Sequence, residues 1–166
     1  MIIRHVEEAD ADSLLRLTRR LDEETEFMML EPGERTTTVE EQRSRIQGLK
    51  QRPNQAILVA EEAGQLMGYI ALMGGSFRRN RHSAYIVAGV LQAFAGRGIG
   101  RQLFTEGERW ARQVGLRRLE LTVMAHNQRA IALYSKMGFR FEGTKRDSLC
   151  VGGLYVDEYY MAKLLD

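Results

Sequence analysis

A chain of 166 residues, 44% hydrophobic and 28% charged, has the composition of an ordinary globular protein and excludes a disordered, collagen-like or disulfide-dense one. Its formal charge of +2 gives no reason to expect a nucleic-acid partner, although Arg78, Arg79 and Arg81 cluster in one segment and Arg97 with Arg101 in another. Cys150 is the only cysteine, and His5, His82 and His126 are scattered along the chain, so neither a disulfide nor a metal site is expected.

Ile2–Val6 predicts a short strand, and no apolar run precedes the first charges. Asp10 can cap a helix through about Leu21, with Leu14, Leu15, Leu17 and Leu21 as its apolar stripe. Glu23–Thr37 has no clean period and contains Pro32-Gly33, so it reads as a loop or broken helix. Thr38 with Glu41 forms a capping box for a helix to about Gln51, stopped by Pro53-Asn54. Ala56–Glu61 and Gln65–Met73 are strands around the turn Ala63-Gly64. Polar Gly74–Arg81 leads into a strand at His82–Leu91. A glycine-rich loop then opens a helix from about Gly98 to Val114, with Gly115 as its C-terminal cap residue. Leu119–Val123 is a strand, Asn127–Met137 a helix ended by Gly138, and Phe139–Gly143 and Tyr155–Lys163 are the last two strands. Strands and helices alternate in the second half, as in an α/β layered domain. With no linker, repeat or low-complexity stretch, residues 1–166 are expected to form one domain. No uncharged apolar run approaches the ~18 residues that span a bilayer, so the expectation is a cytoplasmic protein with no membrane partner.

The most informative segment is Val90-Leu-Gln-Ala-Phe-Ala-Gly-Arg-Gly-Ile-Gly-Arg101, where a strand ends, three glycines follow and an amphipathic helix begins. Gly96, Gly98 and Gly100 let backbone N–H groups approach an anion closely, and a helix start adds unpaired donors and a positive dipole end. Together they favour a phosphate or pyrophosphate, with Arg97 and Arg101 available for charge-assisted bonds. The dinucleotide pattern G-x-G-x-x-G fails because Arg101 stands at its last position, and the P-loop pattern has no match. Tyr134 lies seven residues after Asn127, two helical turns on, so both project from nearly the same helix face. Periodicity alone reads Tyr134 as part of the core stripe of Ala130, Leu133 and Met137, and Asn127 as a cap.

These segments resemble the GNAT superfamily of acyl-CoA-dependent N-acetyltransferases, whose signature is [RQ]-x-x-G-x-[GA] between a strand and a helix. Gly98 and Gly100 match its small positions, whereas Ala95 stands where the family has Arg or Gln, removing one side-chain contact. Leu121–Phe139, with Asn127, Tyr134 and Gly138-Phe139, is similar to the family's strand–Asn–helix–Tyr–Gly-Phe element, and Glu142-Gly143 with Asp157–Met161 to its closing hairpin. The resemblance implies a mixed, mostly antiparallel central sheet of about seven strands flanked by about four helices. It also implies that the fourth and fifth strands, His82–Leu91 and Leu119–Val123, splay apart at a bulge, for which Gly89 is suited.

The implied activity is transfer of the acetyl group of acetyl-CoA to an amine, by direct attack in a ternary complex. The acceptor class is open: a small molecule, a polyamine-like cation, or a protein or peptide amine. By the same resemblance the pantetheine arm pairs with the backbone of Ala88, Gly89 and Val90, and Val90 N–H serves the oxyanion. Ala95, Gly96, Arg97, Gly98, Ile99, Gly100 and Arg101 would hold the pyrophosphate, Asn127 would contact the cofactor, and Tyr134 would protonate the leaving thiolate, its phenol being neutral at pH 7. The base is unassigned: ribosomal-protein acetylating members carry Glu where this chain has Thr122, leaving Glu120, Glu31, His82 or water. Asp22, Glu23, Glu24, Glu26, Glu31 and Glu34 make Leu21–Thr37 acidic, which suits a cationic amine if that loop lines the acceptor site. Family analogy adds a homodimer as one expected assembly. A second reading is a non-catalytic acyl-CoA sensor, favoured by Ala95 and Thr122 and opposed by Tyr134.

Overall fold

The computed structural model describes residues 1–166. Its strands are β1 (Ile2–His5), β2 (Gln55–Glu62), β3 (Gln65–Gly74), β4 (Ser83–Val90), β5 (Arg118–Met124), β6 (Arg140–Val151) and β7 (Leu154–Leu164). They form one seven-stranded sheet in the order β1-β2-β3-β4-β5-β7-β6. Every neighbouring pair is antiparallel except β4 and β5, which run parallel. The helices are α1 (Ala11–Glu24), α2 (Val39–Leu49), α3 (Ile99–Gln113) and α4 (Gln128–Lys136). None is long and apolar enough to cross a membrane.

Both faces of the sheet are covered, which explains why β3 reads as an unbroken apolar run. Tyr69 and Ala71 pack under Leu14, Leu17 and Leu21 of α1 and Ile46 of α2. The alternate residues Ile70 and Leu72 face Ile99, Leu103 and Phe104 of α3, together with Leu119, Leu121 and Val123 of β5. Thr38 caps α2 as expected, its hydroxyl accepting from Glu41 N–H at 3.1 Å.

Three local expectations are corrected. Asp10 precedes α1 but does not cap it with its side chain; its two oxygens instead accept from Arg4 at 2.7 and 2.8 Å, and one also accepts from Glu7 N–H. The strand expected at Phe139–Gly143 runs on to Val151 and turns through Gly152-Gly153 into β7. As the sheet's edge strand β6 is mostly exposed, so it lacks the alternation of apolar residues that marks a half-buried strand. Gly89 marks no bulge, since β3 and β4 stay in register from Gly74–Ala84 through Gly68–Val90. It makes room for α1 instead: a Cβ there would lie 2.8 Å from Leu21 Cδ1.

That contact gives a stability prediction. Gly89→Val would force α1 outward, and we expect a loss of about 1–3 kcal/mol in chemical unfolding. Unchanged stability would show that α1 does not rest on β4 at this point.

Candidate active site

β4 and β5 pair at only three positions, Ser83–Arg118, Ala84–Leu119 and Tyr85–Glu120. Beyond Tyr85 they part, while β4 continues against β3. Leu91 N–H bonds the Met67 carbonyl across β3 at 2.9 Å. Backbone polar groups alternate sides along a strand, so Gly89 and Val87 face β3 while Ala88 and Val90 turn their N–H and C=O groups into the gap.

A cavity of about 1060 Å³ fills this gap, at the upper end of the range for small-molecule sites. It passes through the sheet. Leu103, Phe104, Leu133 and Tyr134 line it on the α3–α4 side. Tyr85, Thr122, Met124 and Glu158 line it on the opposite side, their strand positions alternating with the core residues Ala84, Ile86, Leu121 and Val123 or lying across from Met124. Ala88, Gly89, Val90, Ala95, Gly96, Gly98, Ile99, Gly100, Arg101, Asn127 and Tyr134, all singled out from the sequence, line this one cavity.

Arg97 does not line it. Its guanidinium bonds both Glu62 oxygens at 3.0 Å and sits 5.8 Å from the Phe94 ring centre, so its side chain offers no contact to an anion in the cavity. Its backbone N–H still belongs to the loop.

The loop itself suits an anion. Gly96 and Gly98 have φ of +82° and +76°, a region that only glycine enters without strain, and a Cβ at either would meet no atom within 4 Å. The first backbone bond of α3 is Gln102 N–H to the Gly98 carbonyl, at 3.1 Å. The six N–H groups from Gly96 to Arg101 therefore have no protein acceptor and gather at a helix N-terminus. Arg101 adds a positive charge at the rim. A pyrophosphate fits the donor set, and the apolar passage beyond it fits a flexible thiol-bearing arm.

At the far end of that passage Tyr134 is half-buried against Phe104 and Phe139, with ring centres 5.3 and 6.1 Å away. Burial, reinforced by the nearby Tyr85, pushes its phenol from 10.0 up to about 12, so it is a neutral proton donor across the physiological range. Asn127 caps α4, its Oδ1 accepting from Ala130 N–H at 3.2 Å, which leaves its amide NH2 as the group available to the cavity. Tyr85 and Thr122 share a hydrogen bond of 2.7 Å where the strands part.

None of the three side chains named as candidate bases lines the cavity. Glu120 is bound to Arg118 at 2.7 Å on the same strand, and Glu31 and His82 are exposed elsewhere. Of the six acidic residues in Leu21–Thr37, only Glu24 and Glu26 reach it. Asp22, buried in the last turn of α1, is held by Arg35 at 2.7 and 3.1 Å, an ion pair that pins the loop. Glu24 accepts from Gln92 N–H at 2.6 Å, and Glu26 meets His126 at 3.0 Å. The carboxylate overlooked in the sequence is Glu158, 6% exposed in β7 and lining the cavity. Its one sequence signal was the Asp157-Glu158 pair within a strand that is otherwise aromatic and aliphatic except for Lys163.

A family model for the acetyltransferase (GNAT) family matches residues 18–139. The chain is 34% identical over 120 residues to the L-amino acid N-acetyltransferase AaaT of Escherichia coli (strain K12), spanning 70% of this chain and 72% of that one. Among solved structures, an acetyltransferase of the GNAT family from Streptococcus pneumoniae superposes with a TM-score of 0.95 at 31% identity, covering 99% of both chains. A ribosomal-protein-alanine N-acetyltransferase from Brucella melitensis has a TM-score of 0.84 at 32% identity, covering 99% of this chain and 100% of that one.

If the glycine loop holds the pyrophosphate of coenzyme A, a side chain there must interfere. A Cβ at Gly100 lies 3.2 Å from Leu133 Cδ2, a methyl that can yield, so Gly100→Val is expected to fold. We expect it to weaken calorimetric affinity for acetyl-CoA by more than about tenfold, roughly 1.4 kcal/mol. Unchanged affinity in a folded variant would exclude the loop.

Proposed function

This chain belongs to the acetyltransferase (GNAT) family, and from that membership we propose that it moves the acetyl group of acetyl-CoA to an amine by direct attack within a ternary complex. We further propose that residues 1–166 act as one domain in the cytoplasm, with a homodimer as the assembly suggested by family analogy. The observation that carries the chemical part is a single cavity holding the Gly96–Arg101 donors, the gap-facing amides of Ala88 and Val90, and the Tyr134 phenol.

Acetyl-CoA supplies an activated acyl group on a thiol that can leave. Each group of the chain has a distinct task toward it. The N–H groups from Gly96 to Arg101 bind the anionic end, and Arg101 adds charge. Ala88 and Val90 offer amide groups like those of a neighbouring strand, so an arm bearing amides can continue the sheet in the gap. Val90 N–H, fixed by the β3–β4 ladder, is the preorganised donor for negative charge developing on the acyl oxygen. Tyr134 holds a proton for the departing sulfur, and its raised pKa keeps that proton in place until it is needed. The acceptor amine reaches the acyl carbon from the Thr122–Glu158 side, because the α3–α4 side is closed by Leu103, Phe104 and Leu133. A sensor that merely bound acyl-CoA would have no use for a neutral phenol at this end.

Tyr134→Phe separates packing from proton transfer. It keeps the ring and its contacts to Phe104 and Phe139, so melting temperature should change little. If the hydroxyl protonates the sulfur, single-turnover transfer should slow by roughly 10²-fold or more, with acetyl-CoA affinity nearly unchanged. The sign of the pH effect follows from the raised pKa. The neutral phenol is active, and its proton is lost only as pH rises through about 12, so no decline from this group should appear near pH 10. A folded variant with near wild-type rate would make Tyr134 a core residue only.

A further inference from the structure

We propose that Glu158 is the catalytic carboxylate that binds the acceptor as an ammonium ion and takes its proton, and that the cavity thereby selects monoamines with an apolar body and no carboxylate. This rests on the acetyltransferase reading above and adds the acceptor's chemistry to it.

Glu158 is more than nine-tenths buried and lines the cavity on the acceptor side. Its Oε1 accepts from the Ser148 hydroxyl at 2.5 Å. Its Oε2 has no partner in the protein, yet no sealed side-chain oxygen in the molecule lacks one, so Oε2 is open to solvent in a residue that lines the cavity. Its cross-strand neighbour Lys145 is exposed and makes no ion pair with it. Glu24 lies 3.4 Å from Arg20 and Glu26 is 3.0 Å from His126, so Glu158 alone among the cavity carboxylates has neither an arginine nor a histidine partner. A buried carboxylate without a countercharge is costly, and an ammonium ion bound in the cavity would relieve that cost.

The backbone is shaped to hold it. Between Lys145–Glu158 and Leu149–Val156 the β6 strand advances four residues while β7 advances two. Asp147 sits in this bulge at φ 46°, its N–H bonded to Asp157 at 2.8 Å. Bulges of this kind re-aim side chains beside active sites, and here Ser148 meets Glu158 while Leu149 enters the cavity wall. Met124 lies across from Glu158, and Leu149, Phe27, Met28 and Met29 add apolar surface to the same cavity. The cavity's arginines, Arg101 and Arg129, stand at the starts of α3 and α4, on the donor side of the sheet. One carboxylate without an ion-pair partner, apolar walls and no lysine or arginine lining the acceptor side describe a monocationic amine.

The proton balance is closed. Glu158 takes one proton from R–NH3⁺, and the freed lone pair forms a bond to the acyl carbon as that carbon's bond to sulfur breaks. Nitrogen loses a second proton, Tyr134 gives its own to sulfur and regains one, and Glu158 releases its proton to solvent. The products are an N-acetylamine, the free thiol and one proton.

Three probes of equal chain length test this: n-pentylamine, its carboxylated counterpart L-norleucine, and the diamine cadaverine. Each is titrated calorimetrically into protein saturated with CoA, and each is assayed for thiol release from acetyl-CoA. n-Pentylamine should bind about tenfold or more tightly than the other two, since no lysine or arginine on the acceptor side meets a carboxylate and the remaining cavity carboxylates, Glu24 and Glu26, are already engaged by Arg20, Gln92 and His126. Glu158→Gln, which is isosteric, should lose about tenfold or more of n-pentylamine affinity while keeping its acetyl-CoA affinity and melting temperature. Its remaining turnover should climb with pH as the amine loses its proton in solution. Equal or tighter binding of cadaverine or L-norleucine by wild type would overturn the selectivity, and unchanged n-pentylamine binding in Glu158→Gln would overturn the role of Glu158. Both leave the transferase reading intact if any amine drives thiol release. Failure of acetyl-CoA itself to bind would sink that reading instead.

Discussion

The parting of β4 from β5 after three paired residues is the constraint on which the site depends. A sheet interior normally pairs every backbone donor and acceptor, and an unpaired buried amide costs about 1–3 kcal/mol. Here the gap-facing amides of Ala88 and Val90 are left without a strand neighbour in the middle of a seven-stranded sheet. The register with β3 holds that edge straight up to Val90, so its position does not depend on a ligand. The same parting opens a passage from one face of the sheet to the other. The donor and the acceptor of the acetyl group can therefore approach from opposite sides and meet where the strands diverge.

Charge is distributed along this passage in a consistent order. Free N–H groups, a helix N-terminus and Arg101 make one end attractive to phosphate. The middle is apolar and holds a phenol whose proton is tightly kept. The other end presents Glu158, a carboxylate without a countercharge. The loop after α1 closes that end, and it is fixed by interactions remote from any chemistry: Arg35 on buried Asp22, and Arg19 on the Thr37 carbonyl at 2.9 Å. In the proposed function, binding and catalysis draw on groups that the fold holds in place for structural reasons.

What was legible in the sequence follows from how local each signal is. The glycine loop was readable because three glycines between a strand and a helix have few other uses, and Asn127 was readable as a cap because capping is local. The seven-stranded sheet and its splay came from resemblance, since no periodicity reports where two strands separate. Side-chain partners far along the chain were hidden: Arg97 looked free for phosphate but is spent on Glu62, and Glu120 looked like a base but is held by Arg118. Glu158 was the largest omission. Its burial requires β7 to lie against Met124 and a bulge in β6 to bring Ser148 across, neither of which a short window of sequence contains. The bulge expected at Gly89 failed for a similar reason, because the glycine answers to Leu21 on a helix almost seventy residues earlier.

Amide hydrogen exchange with and without saturating CoA tests the central claim most directly. If the splayed edge of β4 docks the donor, exchange at Ala88, Val90 and Gly96–Arg101 should slow on binding. Val87 and Gly89, already paired with β3, should change little. Strong protection elsewhere, with Ala88 and Val90 exchanging as in the free protein, would contradict the account.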